Sequence, residues 1–455
     1  MTEATRVLAA GEFHHKQRFG PGTICRGAVL LECEWDGGRF ESGMFLGGMF
    51  GRGEFVGGTF SGAVFRDGHW RGGTWLCGFD RQGRYRPRTD HPPHEDPGPR
   101  HADPGGATPE EDRAIPGSGR RRVVIASPHR HADLARLWHR SIARDLVPAL
   151  ASVGLDVDVT IFCDAGTAGF DEHLFPDVHL ESPRAGARDF IEFYDGALRY
   201  PCEFLFFIDA DVFLLDGQWP ASYFAAFDAP EVAAVSLLHR PELPGSIYAL
   251  ICRREDYRRL APPVLPAYWE ALDAWPSSIH RDPGALAARR LTASGKRIVM
   301  ASAGEMDAHL TDFHGTTNLR VCRESWAPLI GDPQFESLIA RKAYFARGAY
   351  DNILLGWLYE RVFGAPFAPG PDGEPLAGSV TVAALRRILG EVRDPTLQER
   401  IARSYARSER AIARLAAREG IALELPEVLP DGWTSALPVK GADAAAADRI
   451  VRDVE

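Results

Sequence analysis

From Leu30 to Trp75 every fifth residue is large and apolar: Leu30, Trp35, Phe40, Phe45, Phe50, Phe55, Phe60, Phe65, Trp70 and Trp75. Two positions before each stands a small one, from Ala28, Cys33, Gly38 and Gly43 through to Gly68 and Gly73. A repeat this regular outranks local propensity, and period five fits neither a helix nor an alternating strand. It predicts a β-solenoid over 23–80 with square coils, each five-residue side sending one large and one small residue inward. A glycine-rich ladder of short hairpins is the alternative. The pattern then changes. Residues 83–119 carry eight prolines and six glycines, a composition that buries no core and predicts a flexible linker.

From residue 120 the pattern is that of strands alternating with helices. Val123 to Ile125 form a short buried strand ending at Ala126-Ser127-Pro128. Helical spacing runs from His131 to about Ser152, and a second strand, Val157 to Cys163, closes on Asp164. A helix over 186–200, a strand from Phe204 to Ile208, and strands at Val232–Leu238 and Ile247–Cys252 follow. Strand, helix and strand with short connections predict an α/β fold with parallel pairing, whose ligands sit at the carboxyl ends of the strands. The expected organisation is a lead-in (1–22), the solenoid (23–80), a linker (81–119), the α/β domain (120–370) and a helical C-terminal extension (371–455).

Composition narrows the function. The 455 residues carry a formal charge of −10, against nucleic-acid binding, where a basic face supplies most of the affinity. The seven cysteines are scattered without a CxxC pair, which indicates neither a disulfide framework nor a thiolate zinc site. No apolar stretch approaches the length of a membrane span. A cytoplasmic location is expected, or one peripheral to the inner face of a membrane. His91, His94 and His101 are read as part of a solvated linker rather than a metal tract.

The chemistry concentrates in Phe204-Leu-Phe-Phe-Ile-Asp209-Ala-Asp211. A buried strand runs straight into two carboxylates one residue apart, costly unless a cation or hydrogen-bond donors neutralise them. Such a pair can hold Mn²⁺ or Mg²⁺, which in turn grips a diphosphate. No GxGxxG follows a strand, and there is no GxxxxGK[ST] or GxSxG, so dinucleotide, P-loop and hydrolase readings lack support.

Two resemblances follow. The repeat resembles the pentapeptide-repeat family, with Phe or Trp where Leu is common and Gly where Ala is common. It implies a structural or docking element, with a protein partner or self-association through its faces. Residues 120–365 resemble nucleotide-sugar glycosyltransferases of the GT-A fold, particularly the inverting family labelled family two. That resemblance implies a Rossmann-like mixed sheet flanked by helices, and transfer from a nucleoside-diphosphate sugar to a glycan, lipid-linked or protein acceptor. It makes Asp209 and Asp211 metal ligands, and puts Ala126, Ser127, Pro128, Asp164, Arg188, Asp209, Thr316 and Asn318 at the donor. Asp351, expected just before a helix over Asn352–Phe363, is then the general base, or else an N-cap. His314 is a third metal ligand, a substrate contact or a structural histidine. A non-catalytic scaffold or another nucleotidyl-diphosphate-using transferase is the alternative.

Overall fold

In the computed structural model the described residues are 5–10, 12–15, 17–65, 67–79, 85–86, 121–129, 132–163, 170–181, 196–198, 200–239, 248–260, 283–313, 333–341, 343–365, 367, 382–422, 424–431 and 433.

The period-five segment winds as a parallel β-coil. Its strands are β1 (Arg6–Ala9), β2 (Phe13–His15), β3 (Arg18–Phe19), β4 (Thr23–Phe55), β5 (Thr59–Phe65), β6 (His69–Trp70) and β7 (Thr74–Phe79), followed by β8 (Tyr85–Arg86). Phe45 pairs with Phe60 and Phe55 with Trp70, an offset of 15 residues. A square coil of five-residue sides would give 20. Three sides therefore close each turn, which corrects the four-sided expectation. The physical cause is visible in the rings. Phe40 stacks on Phe55, Phe45 on Phe60 and Phe50 on Phe65, while Phe40, Phe45 and Phe50 meet edge to face within one turn. Six such stacks, at 4.4–6.0 Å and 4–14°, fill the centre. Three rings at van der Waals distance leave no room for a fourth side.

Glycine replaces alanine in the repeat because the chain comes too close to itself. Gly43 has φ +115°, and a Cβ there would lie 2.1 Å from the Ala28 carbonyl oxygen, one turn below. The coil is also longer than the repeat. β1 to β3 pair with β4, so the residues expected as a lead-in form its first turn. β8 caps the other end antiparallel to β7, inside the segment expected as linker. Residues 87–119 lie outside the described residues.

The second unit is a seven-stranded sheet in the order β11-β10-β9-β12-β15-β14-β16. The strands are β9 (Arg121–His129), β10 (Leu155–Cys163), β11 (Val178–Glu181), β12 (Phe204–Ile208), β14 (Val232–Ser236), β15 (Ala249–Arg253) and β16 (Arg297–Met300). Only β15 runs against its neighbours. A separate ribbon pairs β13 (Val212–Leu214) with β17 (Leu310–Asp312). Helices cover both faces. On one lie α1 (Ala132–Ser141) and α2 (Val147–Ser152), joined by a π-turn at Ile142–Leu146. Leu134, Leu137 and Trp138 of α1 pack there with Val123 and Ile125. On the other, Val124, Ala126, Leu205 and Phe207 meet Tyr257 and Leu291, from α4 (Arg254–Leu260) and α5 (Pro283–Ala293). The short α3 (Gln218–Ser222) and α6 (Ala303–His309) flank the ribbon. The C-terminal part adds α7 (Pro333–Arg341), α8 (Ala343–Phe363), α9 (Val382–Leu389) and α10 (Pro395–Arg418).

Coil and sheet share one core. Outward-facing Val29, Met44 and Leu46 are buried in the same cluster as the first helical layer. Phe13, in register with Val29, meets Phe345 of α8 edge to face at 6.4 Å. This outward apolar row is thus buried within the chain, with Phe13 against α8.

Candidate functional site

The site grows from β12, five consecutive buried residues at the centre of the sheet. Parallel pairing to β9 on one side and antiparallel pairing to β15 on the other satisfy its backbone. At its carboxyl end Asp209 donates its N–H to the Tyr248 carbonyl at 2.8 Å, and its Oδ1 accepts from the Ala210 N–H at 2.8 Å. Val212 N–H donates back to the Asp209 carbonyl at 3.1 Å, closing a turn after which β13 leaves the sheet. Asp209 is 1% exposed and Asp211 is 7% exposed. The ribbon fixes the second carboxylate's backbone: Phe313 N–H donates to the Asp211 carbonyl at 3.0 Å, and Phe213 packs edge to face on Phe313 at 5.5 Å.

Two desolvated carboxylates at a strand's carboxyl end suit a hard divalent cation through oxygen. Among the described residues no three His, Cys, Asp or Glu side chains gather. Two carboxylates are fewer than a full shell, and Mg²⁺ and Mn²⁺ sites are commonly completed by water and substrate phosphates. His314 follows Phe313 directly in the chain but lies outside the described residues, as do Asp164, Arg188, Thr316 and Asn318.

The end of the first strand differs from its expected form. β9 continues to His129, and Ala126 and Ser127 are fully buried within the sheet. Ala126 belongs to the core on the α4–α5 face. Ser127 Oγ meets His129 Nε2 at 3.0 Å, and the His129 ring lies 5.0 Å from Trp138 of α1. The edge that can face a ligand starts at Pro128, because register pairs Ala126 with Phe207, two residues before Asp209.

Asp351 departs furthest from expectation. The helix does not start at Asn352 but at Ala343, so Asp351 is mid-helix and cannot be an N-cap. Gly348 is the reason for the misreading; it is buried inside α8, where close packing offsets its roughly 1 kcal/mol propensity cost. The Asp351 carboxylate is 0% exposed and lies 3.4 Å from Arg347 Nε, one helical turn earlier. Around it α8 packs on α10: Tyr350 stacks on Tyr405 at 4.1 Å, Tyr350 donates to Glu409, and Tyr405 donates to the Ala346 carbonyl. Burial pushes both tyrosine hydroxyls up, keeping them donors. A carboxylate enclosed in this way offers no route to an acceptor hydroxyl, so the geometry does not support the general-base expectation.

One edge residue was missed. His239 follows β14 and stands on the same carboxyl edge; its Nδ1 lies 2.9 Å from the Ala301 carbonyl and its N–H donates to Met306 Sδ at 3.3 Å. A bond from Nδ1–H to a carbonyl puts the neutral ring's lone pair on Nε2. The signal was available: a histidine just after a buried strand.

No protein-family model and no curated protein matches the chain. Solved structures similar to it include a mannosyltransferase from Pyrobaculum calidifontis in complex with GDP-Man and Mn²⁺. That structure is 16% identical over 74% of this chain and 80% of its own, with TM-score 0.34. A putative nucleotide-diphospho-sugar transferase from Desulfovibrio desulfuricans is 13% identical over 39% of this chain and 79% of its own, at 0.26. The galactosyltransferase LgtC, solved with donor and acceptor sugar analogues, is 12% identical over 40% and 73%, also at 0.26. The assignment of the site rests on the geometry above.

Proposed function

We propose that this chain is a metal-dependent glycosyltransferase that takes a sugar from a nucleoside-diphosphate donor. The observation that carries the reading is the pair Asp209 and Asp211, both more than nine-tenths buried at the carboxyl end of the central strand β12. In this reading Asp209 and Asp211 hold Mn²⁺ or Mg²⁺, which when bound neutralises charge on the diphosphate as it leaves. The Phe313-to-Asp211 backbone bond keeps the second carboxylate in place. Asp164 and Arg188 contact the nucleotide, with Pro128 at the neighbouring strand end. Thr316 and Asn318 lie under the donor sugar, and His314 extends the metal shell. For an inverting transfer the proton acceptor is a group other than the enclosed Asp351.

The test is donor hydrolysis and transfer across a panel of nucleotide sugars, with Mn²⁺, with Mg²⁺ and with chelator. Metal-dependent turnover lost in both Asp209→Asn and Asp211→Asn supports the reading. No binding or turnover of any nucleotide sugar by the folded wild-type chain would leave it as a non-catalytic scaffold.

A further inference from the structure

The run from α1 through the π-turn to α2 descends from the carboxyl edge of the sheet to its amino edge. Midway along it, beside the 171–177 turn that feeds β11, opens a cavity of about 590 Å³. Every titratable residue that lines it is basic: Arg136, His139, Arg140, Arg144 and His173. Phe363, at the end of α8, and the half-exposed Leu174 supply apolar wall. The volume falls within the ordinary range of small-molecule sites.

The guanidiniums are held in place from behind. Arg140 and Arg144 both bond the same carboxylate, Glu419, which is 7% exposed and does not line the cavity. Arg144 also pairs with Asp145 at 2.8 Å, and Arg418 shares that carboxylate at 3.0 Å. Arg136 makes no ion pair among the described residues. Its guanidinium lies 4.0 Å over the Phe363 ring and donates to the Tyr359 hydroxyl, whose own proton goes to Asp133. Like charges at successive i, i+4 positions repel, and here three arginines in that spacing share few carboxylates. The Arg144 fork is taken up by Asp145, so it contributes charge. The guanidiniums of Arg136 and Arg140, each held by one nitrogen, present the planar donor geometry that matches phosphate oxygens. π-turns also recur at functional positions.

We propose that this cavity binds a phosphate group, carried by a small phosphorylated molecule or by a phospholipid head, with the attached carbon skeleton against Phe363 and Leu174. The site is separate from the acidic pair, because it lies along the helical layer rather than at the strand carboxyl ends. Burial pushes the His139 imidazole below its usual range, so the positive charge at neutral pH comes from the arginines.

The experiment uses the full chain with chelator and no divalent cation. Inorganic phosphate is titrated calorimetrically, and equal mixtures of phosphatidylglycerol and phosphatidylcholine vesicles are tested by co-sedimentation. Saturable phosphate binding, weakened about tenfold in Arg136→Gln and unchanged in Asp209→Asn, is the expected result. Phosphate binding without vesicle binding identifies a free phosphorylated ligand; vesicle binding displaced by phosphate identifies a lipid head. Where Arg136→Gln does not fold, Arg140→Gln, at a half-exposed side chain, gives the same reading. Binding of neither probe by wild type, equal binding by the arginine variants, or loss in Asp209→Asn instead, overturns the proposal while leaving the transferase reading untouched.

Discussion

The Phe313 N–H donates to the carbonyl of Asp211 at 3.0 Å and so ties the end of the ribbon strand β17 to the acidic turn after β12. Segments far apart in sequence thereby form one edge, with Asp211 fixed from both sides.

Neutralising the acidic pair should separate binding from folding. Asp209→Asn and Asp211→Asn remove buried negative charge, so in chelator their melting temperatures should equal or exceed wild type. Added Mn²⁺ with a nucleotide sugar should raise the melting temperature of wild type only. Thermal shift with and without metal reads both effects.

Asp351→Asn should act on stability. It leaves Arg347, 8% exposed, without its carboxylate, and breaking a buried pair costs about 3 kcal/mol. A lowered urea midpoint with unchanged metal-dependent donor binding is the expected outcome. Full stability with transfer reduced a hundredfold would restore the general-base role.

In the coil, Gly58→Ala should cost about 2 kcal/mol. Its φ is +96°, and a Cβ would lie 2.5 Å from the Gly43 carbonyl oxygen. Gly20→Ala, where a Cβ meets nothing within 4 Å, should change stability by less than about 0.5 kcal/mol. Chemical denaturation of the two variants side by side decides it.

The shared core predicts coupled unfolding. Met44, 1% exposed, lies among residues of the helical layer; Met44→Asp should cost about 3 kcal/mol and lower the melting of coil and sheet together. Separate transitions, with the sheet's unmoved, would return the coil to an independent module.

His139 gives a pH dependence of known sign. Burial holds its imidazole below the ordinary value of about 6.5 in the folded chain. The unfolded chain therefore binds more protons below that value, and stability falls as pH drops from about 7 toward 5. His139→Phe should flatten this part of a stability–pH profile measured by urea unfolding.

The sequence by itself determined the elements whose information is local. Period five announced the coil, because each inward ring is specified by its own position, and the apolar run Phe204 to Ile208 followed by Asp209 and Asp211 announced a central strand with an acidic end. The helix from residue 132 to 152 was legible as spacing, though not the π-turn within it. Tertiary structure decided what depends on distance between non-neighbours. Coil closure at 15 residues was set by how many rings fit around one axis, which no single repeat encodes. The fate of Asp351 was set by α10, distant in sequence, which encloses it beside Tyr405 and makes a helix through Gly348 favourable. The row of Phe13, Val29 and Met44 reads as solvent-facing until the layers pack and take it into the common core. His239 and the arginines of the cavity acquire meaning only when the sheet brings β14 beside β16 and the helices bring Glu419 against Arg140 and Arg144. Local patterns fix conformation through nearest neighbours, whereas burial and charge pairing belong to surfaces that exist only once the layers have packed.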